Sequence, residues 1–385
     1  MEVVNSTIPL FKVSMNTDKA LPELQKVFES GFIGEGPKVQ EFEAALGVVF
    51  DTPKDNLPLT VNSCTSALDM ALYLSDIQPG DKVLSTPQTC LATSNVIHNR
   101  GAEIVWVDID PLTGNMCPKS LVKIARLTPD AKAVMTVDWA GRCSVTDSLI
   151  VAAGGIPIIQ DAAHSFDTRY KGRSLIHAGA DFICHSYQAI KQLTTGDGGS
   201  IWCKNPRDRE RGRLYRWYGL DRTTSTAMRC KQEMKMVGVK CHMNDIAATI
   251  GLANLQTALD NGLKSRRNAL ELCRSIVNVK IAVPPFDADC AYWIFSIHVK
   301  QDRDTFIPYC KSLGVEASLV HVRNDTQRKL RASSAALDRS TGYYEVAGKG
   351  MTGIDKFSET QVAIPCGPWL SALDLNKIIE VVNGF

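Results

Sequence analysis

The chain has almost no excess charge: 43 Lys and Arg stand against 41 Asp and Glu, a formal net charge of +2. That is too little for the whole-protein field of a dedicated nucleic-acid or membrane-surface binder. Any bound anion is therefore expected to be held locally, with no nucleic acid and no membrane among the partners. No apolar run approaches the roughly 20 residues that span a bilayer. The segment after Met1 lacks a basic stretch followed by an apolar core and a cleavage site. The twelve cysteines are scattered without one C-x-x-C pair, which argues against structural zinc and for reduced thiols in the cytoplasm. His, Cys and carboxylates are not clustered at ligand spacing either, so no metal site is expected. Gly/Ser- or Pro-rich linkers, internal repeats and low-complexity tracts are also missing.

What the chain does contain is an ordinary globular composition, 44% hydrophobic and 22% charged over 385 residues. Such a length exceeds what one core usually organises, so two domains are expected. The candidate strands are Lys82 to Thr86, Glu103 to Asp108, Ala133 to Asp138, Ile156 to Asp161, Asp181 to His185 and Ser200 to Cys203. Between them, Thr65 to Ser75, Leu91 to Asn99, Pro118 to Leu127 and Thr146 to Ala153 repeat apolar residues at helical spacing. This β-α-β order predicts a mostly parallel sheet covered by helices on both faces, with ligands beyond the carboxyl ends of the strands. After Asn244 the pattern changes to a long helical stretch, Ile246 to about Val277. Strand-like runs follow at Lys280 to Val283, Tyr292 to Val299 and Val315 to Val320. The chain is read as a large α/β domain, 1–245, and a smaller C-terminal α/β domain, 246–385, joined by that helix.

Motifs just after a strand carry the most weight in such a fold. Lys191 lies between an apolar strand and the glycine-rich turn Gly196-Asp-Gly-Gly199, where a backbone can approach a bound ring. A lysine amine becomes a nucleophile toward carbonyls when desolvation or a cationic neighbour lowers its pKa. Taken alone, it is better read as one of 43 basic residues on a solvated surface. Asp161, at the end of Ile156-Pro-Ile-Ile-Gln160, places a carboxylate toward the same crevice. An ionised Asp there keeps the ring nitrogen of pyridoxal phosphate protonated, and His164 would pack on the ring, bond Asp161 or bond the ring hydroxyl. The alternative is a turn-capping Asp161 and a satisfied core His164. In Val61-Asn-Ser-Cys-Thr65-Ser66, small hydroxyl residues open an amphipathic helix, whose free N–H groups and dipole suit a phosphate. Ordinary N-capping by Ser63 or Thr65 explains the same letters. Ser186 is a further phosphate candidate.

Two other motifs fail on spacing. Gly34-Glu35-Gly36 has Val39 where a dinucleotide fingerprint needs its third glycine, and Gly196 to Gly199 lacks the Lys-Ser/Thr of a P-loop. The stretch from Lys204 to Lys240 holds 11 basic and 4 acidic residues. A solvated helical face accounts for it, with one or two arginines left to meet a diphosphate.

In order and spacing these segments resemble the DegT/DnrJ/EryC1/StrS sugar aminotransferases, within the fold type I pyridoxal-phosphate enzymes. The resemblance runs nearly end to end. It is carried by Ile8-Pro-Leu-Phe-Lys12, Ser30 to Glu43, Asn62 to Leu68, Gly101 to Pro111, Asp161-Ala-Ala-His164, Ser186 to Gly199, Arg216-Trp-Tyr-Gly219 and Met243 to Ala253. It implies a mostly parallel central sheet with a smaller C-terminal α/β domain, and pyridoxal 5'-phosphate as cofactor. Lys191 resembles the lysine that forms the covalent imine with the cofactor and later shuttles the proton. Asp161 matches the pyridinium partner, and His164 supports the ring. Thr65, Ser66 and Ser186 match the phosphate cradle. Asn244 resembles the asparagine that reaches the phosphate from the neighbouring subunit, which implies a homodimer with shared sites, although a helix-capping Asn244 also satisfies local chemistry.

The departures are specific. Cys90 stands where the family usually stacks an aromatic on the cofactor ring, and the usual proline-leucine-histidine element reads Val320-His321-Val-Arg323-Asn324-Asp325. Dehydrating relatives have histidine in place of the lysine, so Lys191 argues for transamination. The resemblance implies transfer from an amino acid, glutamate above all, to a nucleotide-linked 4-keto-6-deoxy sugar, with C3 amination as runner-up. The sugar nucleotide is expected against Gly36, Pro37, Arg216, His321, Arg323 and Asn324. A homologue that binds cofactor or sugar nucleotide without turnover is the alternative from another class.

Overall fold

The computed structural model describes residues 7–223, 231–330 and 351–385. The N-terminal helices are α1 (Thr17–Ser30) and α2 (Pro37–Val49). Asn16 starts α1 by accepting from Lys19 N, and Gly31, at φ 73, ends it; the left-handed turn there suits a residue without a Cβ. The alternating region then runs β1 (Leu59–Val61), α3 (Cys64–Leu74), β2 (Lys82–Ser85), α4 (Leu91–Asn99), β3 (Glu103–Trp106), α5 (Pro118–Leu127), β4 (Ala131–Val137), α6 (Asp147–Ala153) and β5 (Ile158–Asp161). A small hairpin, β6 (Arg169–Tyr170) and β7 (Arg173–Ser174), precedes β8 (Phe182–Ser186), β9 (Gly199–Cys203) and α7 (Pro206–Tyr215).

Among the described residues, seven strands form the central sheet in the order β1-β9-β8-β5-β4-β2-β3. Strands β3, β2, β4, β5 and β8 pair in parallel, and β9 runs against both β8 and β1. The expected mostly parallel sheet is therefore present, and its physical basis is visible residue by residue. Val83, Ile104, Ala133, Ile159 and Cys184 enter one core, while their neighbours Leu84, Val105, Val134, Ile158 and Ile183 enter the core on the other face. Side chains of a strand alternate faces, so a sheet buried on both sides needs unbroken apolar runs. Each Val, Leu or Ile among them contributes about 1.5–3 kcal/mol when fully buried.

Next comes α8 (Asp245–Ser275), 31 residues long and so about 46 Å. Its first half packs on Val39, Phe42, Leu46 and Tyr187 through Ala248 and Ala258, and its last turns deliver Ala269 and Leu272 to a second core. That second core surrounds an antiparallel sheet of β10 (Ile281–Ala282), β11 (Phe295–Val299) and β12 (Gln361–Ile364). Around it lie α9 (Arg303–Ser312) and the helices Thr352–Thr360 and Ala372–Gly384. Ile8 joins this core and bridges to Val315. Among the described residues no helix is long and apolar enough to cross a membrane.

The strand expected over Val315 to Val320 does not form. Only isolated bridges occur there, Val315 with Ile8 and Ser318 with Ala363. Val320 stands at φ 65, a left-handed conformation that a β-branched residue adopts only under constraint and that breaks any strand. The bend carries His321 inward.

Candidate active site

The parallel strands end on one edge of the sheet, at Asp161 for β5 and Ser186 for β8. The loop from β8 to β9 carries Lys191. Backbone bonds close that loop on itself, Tyr187 N to Gly198 O and Thr195 N to Tyr187 O, both at 2.9 Å. The segment before β11 clamps it from above: Trp293 Nε1 donates to Ile190 O, and Gln192 Nε2 donates to Ala291 O, each at 2.9 Å. Lys191 is thereby fixed with its Nζ 3.5 Å from the centroid of the Trp293 ring. Burial pushes its pKa down to about 8, against the pull of Asp161 and the Cys64 and Cys90 thiols.

Asp161 is 4% exposed. Its Oδ2 accepts from Thr93 Oγ1 at 2.7 Å and its Oδ1 from Ala163 N at 3.1 Å. Burial raises its pKa, while Thr93, the Ala163 amide and the Lys191 charge oppose that rise. His164 is also buried. Burial and the nearby Lys191 hold its pKa far below the ordinary range, so the ring is neutral. Its ring stacks on Trp293 at 3.9 Å, lies parallel to His321 at 6.0 Å and meets Trp139 edge-on at 5.9 Å. Burial and Lys191 take His321 down to about 4. Lys191, Asp161, His164 and His321 therefore share one cleft, with Cys90 exposed at its rim as the residue before α4.

The start of α3 lies beside this cleft. Ser63 Oγ caps the helix through Ser66 N at 3.1 Å, and Ser66 Oγ donates to Asn62 Oδ1 at 2.7 Å. Thr65 is exposed, and the first backbone bond of the helix is Ala67 N to Ser63 O, so the amides of Cys64 and Thr65 precede it. Gly199 pairs with both Val61 and Ser186. A Cβ on it would lie 2.6 Å from Cys64 N and 2.8 Å from His185 O. Only glycine lets β8, β9 and α3 converge so closely.

A second group gathers at the start of α8. Asn244 is exposed, and its Oδ1 accepts from Ala247 N at 2.8 Å. Asp245 accepts from the amides of Gly36, Lys38 and Val39 at 2.8 to 3.2 Å, which places Gly36 and Pro37 beside Asn244. Arg216 is 4% exposed. Its guanidinium donates to Glu43, to Thr60 O and to Glu35, so its donors point into the protein. Much of the basic stretch behaves likewise: Arg211 pairs with Asp76 and Asp208, Arg213 with Glu210 and Asp221, and Arg222 with Glu35. Arg323 is held by Asp325 and Asp355. Asn324 is 1% exposed and donates to Cys90 O and Ser94 Oγ, so it ties the Cys90 loop to the segment that follows Val320.

Three residues of the cleft escape a reading of the sequence. Trp293 sits in an apolar run that reads as strand core, Trp139 follows β4 without a motif, and Thr93 is one hydroxyl among many. The recognisable signal is weak: Trp293 and Trp139 are two of only six tryptophans.

These residues fit pyridoxal 5'-phosphate. Nδ1 of His164 is buried with no hydrogen-bond partner among the described residues, which matches a ring hydroxyl. Among the described residues the buried Asp161 has Thr93, the Ala163 amide and the Cys64 thiol as donors, which leaves room for a protonated ring nitrogen as counter-charge.

Comparison with known proteins agrees. The model of the DegT/DnrJ/EryC1/StrS aminotransferase family matches residues 15–383. The spore coat polysaccharide biosynthesis protein SpsC of Bacillus subtilis (strain 168) is 28% identical, over 94% of this chain and 93% of that protein. Among solved structures, the sugar aminotransferase CalS13 of Micromonospora echinospora superposes with a TM-score of 0.87 at 29% identity, covering 98% of this chain and 99% of the other. AtS13 of Actinomadura melliaura gives 0.87 at 32% identity, covering 99% of both. The chain belongs to the DegT/DnrJ/EryC1/StrS family of pyridoxal-phosphate-dependent aminotransferases, with their fold type I architecture.

Proposed function

We propose that this aminotransferase moves an amino group from glutamate onto the keto group of a nucleotide-linked deoxysugar, a 4-keto-6-deoxyhexose. The observation that carries the reading is the meeting of a half-buried Lys191 with Asp161 and His164 in one cleft. The names of two relatives support the sugar: CalS13 is described as a sugar aminotransferase and SpsC as a polysaccharide biosynthesis protein.

When bound, pyridoxal phosphate supplies an electron sink and carries the amino group between donor and acceptor. Lys191 takes up and returns the proton at the carbon bearing the nitrogen. A pKa near 8 leaves roughly a tenth of the amine neutral at pH 7, hundreds of times more than an ordinary lysine offers. Positioned acid–base groups of this kind contribute about 10²–10⁴-fold. Asp161, ionised, holds the proton on the ring nitrogen. His164, neutral, turns Nδ1 to the ring hydroxyl. Thr65, Ser66 and Ser186 hold the phosphate with the free amides of α3, and the partner subunit's Asn244 completes the cradle in a homodimer with shared sites. His321 and the Gly36–Pro37 corner meet the sugar nucleotide. The eleven described cysteines are all free thiols, which suits a reducing, cytoplasmic setting.

The test is incubation with glutamate and a panel of nucleotide keto-sugars, with mass spectrometry and product stereochemistry. An amino sugar at C4 supports the reading. Amination at C3 replaces it with the runner-up, and no turnover on any member of the panel overturns it.

A further inference from the structure

Where an aromatic side chain would cover the cofactor, the cleft has Cys90. The aromatic surface against Lys191 is Trp293, and that ring is held on several sides. Its Nε1 donates to Ile190 O at 2.9 Å. Phe11 stacks on it at 4.9 Å and 27°, and His164 at 3.9 Å and 23°. Trp293 is only 6% exposed, so the indole has no freedom to turn away. Lys191 Nζ lies 3.5 Å from its centroid, well inside the roughly 6 Å over which a ring face attracts a cation.

We propose that Trp293 is a positioning residue for Lys191: its indole face holds the ε-ammonium whenever the lysine is not covalently engaged, fixing where the amine waits. The role in transamination rests on Lys191 being the acid–base lysine; the contact itself does not. The ring stabilises the charged amine in a place where burial disfavours it. Other titratable groups face the same amine. Asp161 at the end of β5, Cys64 in α3 and Cys90 before α4 favour the cation as well. His164 and His321 are kept neutral by burial and the lysine's own charge, and Lys12 and Tyr292 line the adjoining pocket. Among the described aromatic rings, Trp293 supplies the cation–π contact to this lysine. The consequence is a released lysine parked against a rigid wall beside Asp161, protonated and in place for proton return.

The experiment uses the full-length chain freed of cofactor. The rate at which Lys191 is acetylated by a trace of acetic anhydride is followed against pH by peptide mass spectrometry. Trp293→Leu removes both the ring and the N–H, and Trp293→Phe keeps a ring face without the N–H. Tryptophan fluorinated on its benzo ring at position 293 weakens the face at constant shape and guards against misfolding of the leucine variant. Loss of the face should raise the neutral fraction of Lys191 below its midpoint by about tenfold. Fluorination should give a graded rise, and phenylalanine should restore most of the wild-type profile. An unchanged profile in the leucine and fluorinated proteins overturns the proposal. So does a phenylalanine variant that behaves like leucine, since the N–H bond would then be what matters. Borohydride trapping of the wild-type holoenzyme reports separately whether the cofactor is attached at Lys191.

Discussion

Thr93 Oγ1 donates to Oδ2 of Asp161 at 2.7 Å, so the first turn of α4 sets the charge at the end of β5. Thr89 extends the link, its Oγ1 lying 2.6 Å from that of Thr93. Replacing Thr93 by valine keeps the volume and removes the donor. Burial already raises the Asp161 pKa, and this change raises it further. Hydrogen bonds to charged groups contribute about 1.5–3 kcal/mol. We therefore expect kcat to fall by about tenfold or more, with weaker cofactor retention, while Thr93→Ser keeps most of the activity. Steady-state kinetics with cofactor titration checks it.

Arg216 predicts a stability effect rather than a substrate effect. It satisfies the buried Glu43, whose Oε1 also accepts from Thr60 N and Oγ1. Removing one partner of a buried ion pair typically costs about 3–5 kcal/mol, because the other charge is left uncompensated. Arg216→Met should lower the midpoint of urea unfolding strongly. A variant with wild-type stability and a raised KM for the sugar nucleotide would instead place Arg216 on the substrate.

Much of this architecture is legible in the amino-acid order, for a physical reason. Buried parallel strands must be apolar on both faces, so Ala133 to Asp138 and Ile156 to Asp161 announce themselves, and the residues that follow them fall at one edge. Lys191, Asp161 and His164 are read that way, and the structure brings them together. Partners distant in sequence are not legible. Trp293 reaches Ile190 across 103 positions, Arg216 reaches Glu43 across 173, and Asn324 reaches Ser94 across 230. Arg216 looks like a free cation in a basic stretch because nothing nearby reveals its carboxylates. Strand β1 has only three residues, too few for periodicity to show.

Gly199→Ala tests the cradle. The added Cβ would meet the backbone of Ser63 and Cys64 at 2.6 Å and of His185 at 2.8 Å, and backbone cannot swing aside. Overpacking of this kind costs about 1–3 kcal/mol. The start of α3 should be displaced, so cofactor affinity should fall more than that of a control, Gly154→Ala, whose Cβ meets open space but at positive φ. Equal cofactor affinities in the two variants would contradict the convergence described.

Acid stability follows from His185, which is 4% exposed and held neutral to about 3 by burial. Its folded pKa lies below the unfolded value of about 6.5, so the unfolded chain binds the extra proton between those limits. The contribution is complete above about pH 6.5 and is lost as pH falls toward 3. Asp138, raised by burial to about 6, works in the opposite direction, favouring the fold below pH 4 and losing that contribution as pH rises to 6. Nδ1 of His185 has no partner among the described residues, so His185→Leu forfeits no described hydrogen bond at that atom. Between pH 7 and pH 5 the cofactor-free variant should lose about 2 kcal/mol less than the wild type, measured by denaturant unfolding at both values.

We propose above all that Lys191 carries the cofactor. The direct measurement is borohydride reduction of the cofactor-loaded enzyme, followed by proteolysis and mass spectrometry of the peptides. We predict a phosphopyridoxyl group on Lys191, and a Lys191→Ala enzyme that takes up no covalent label and shows no turnover. A label on another lysine, or full turnover without Lys191, would contradict the account.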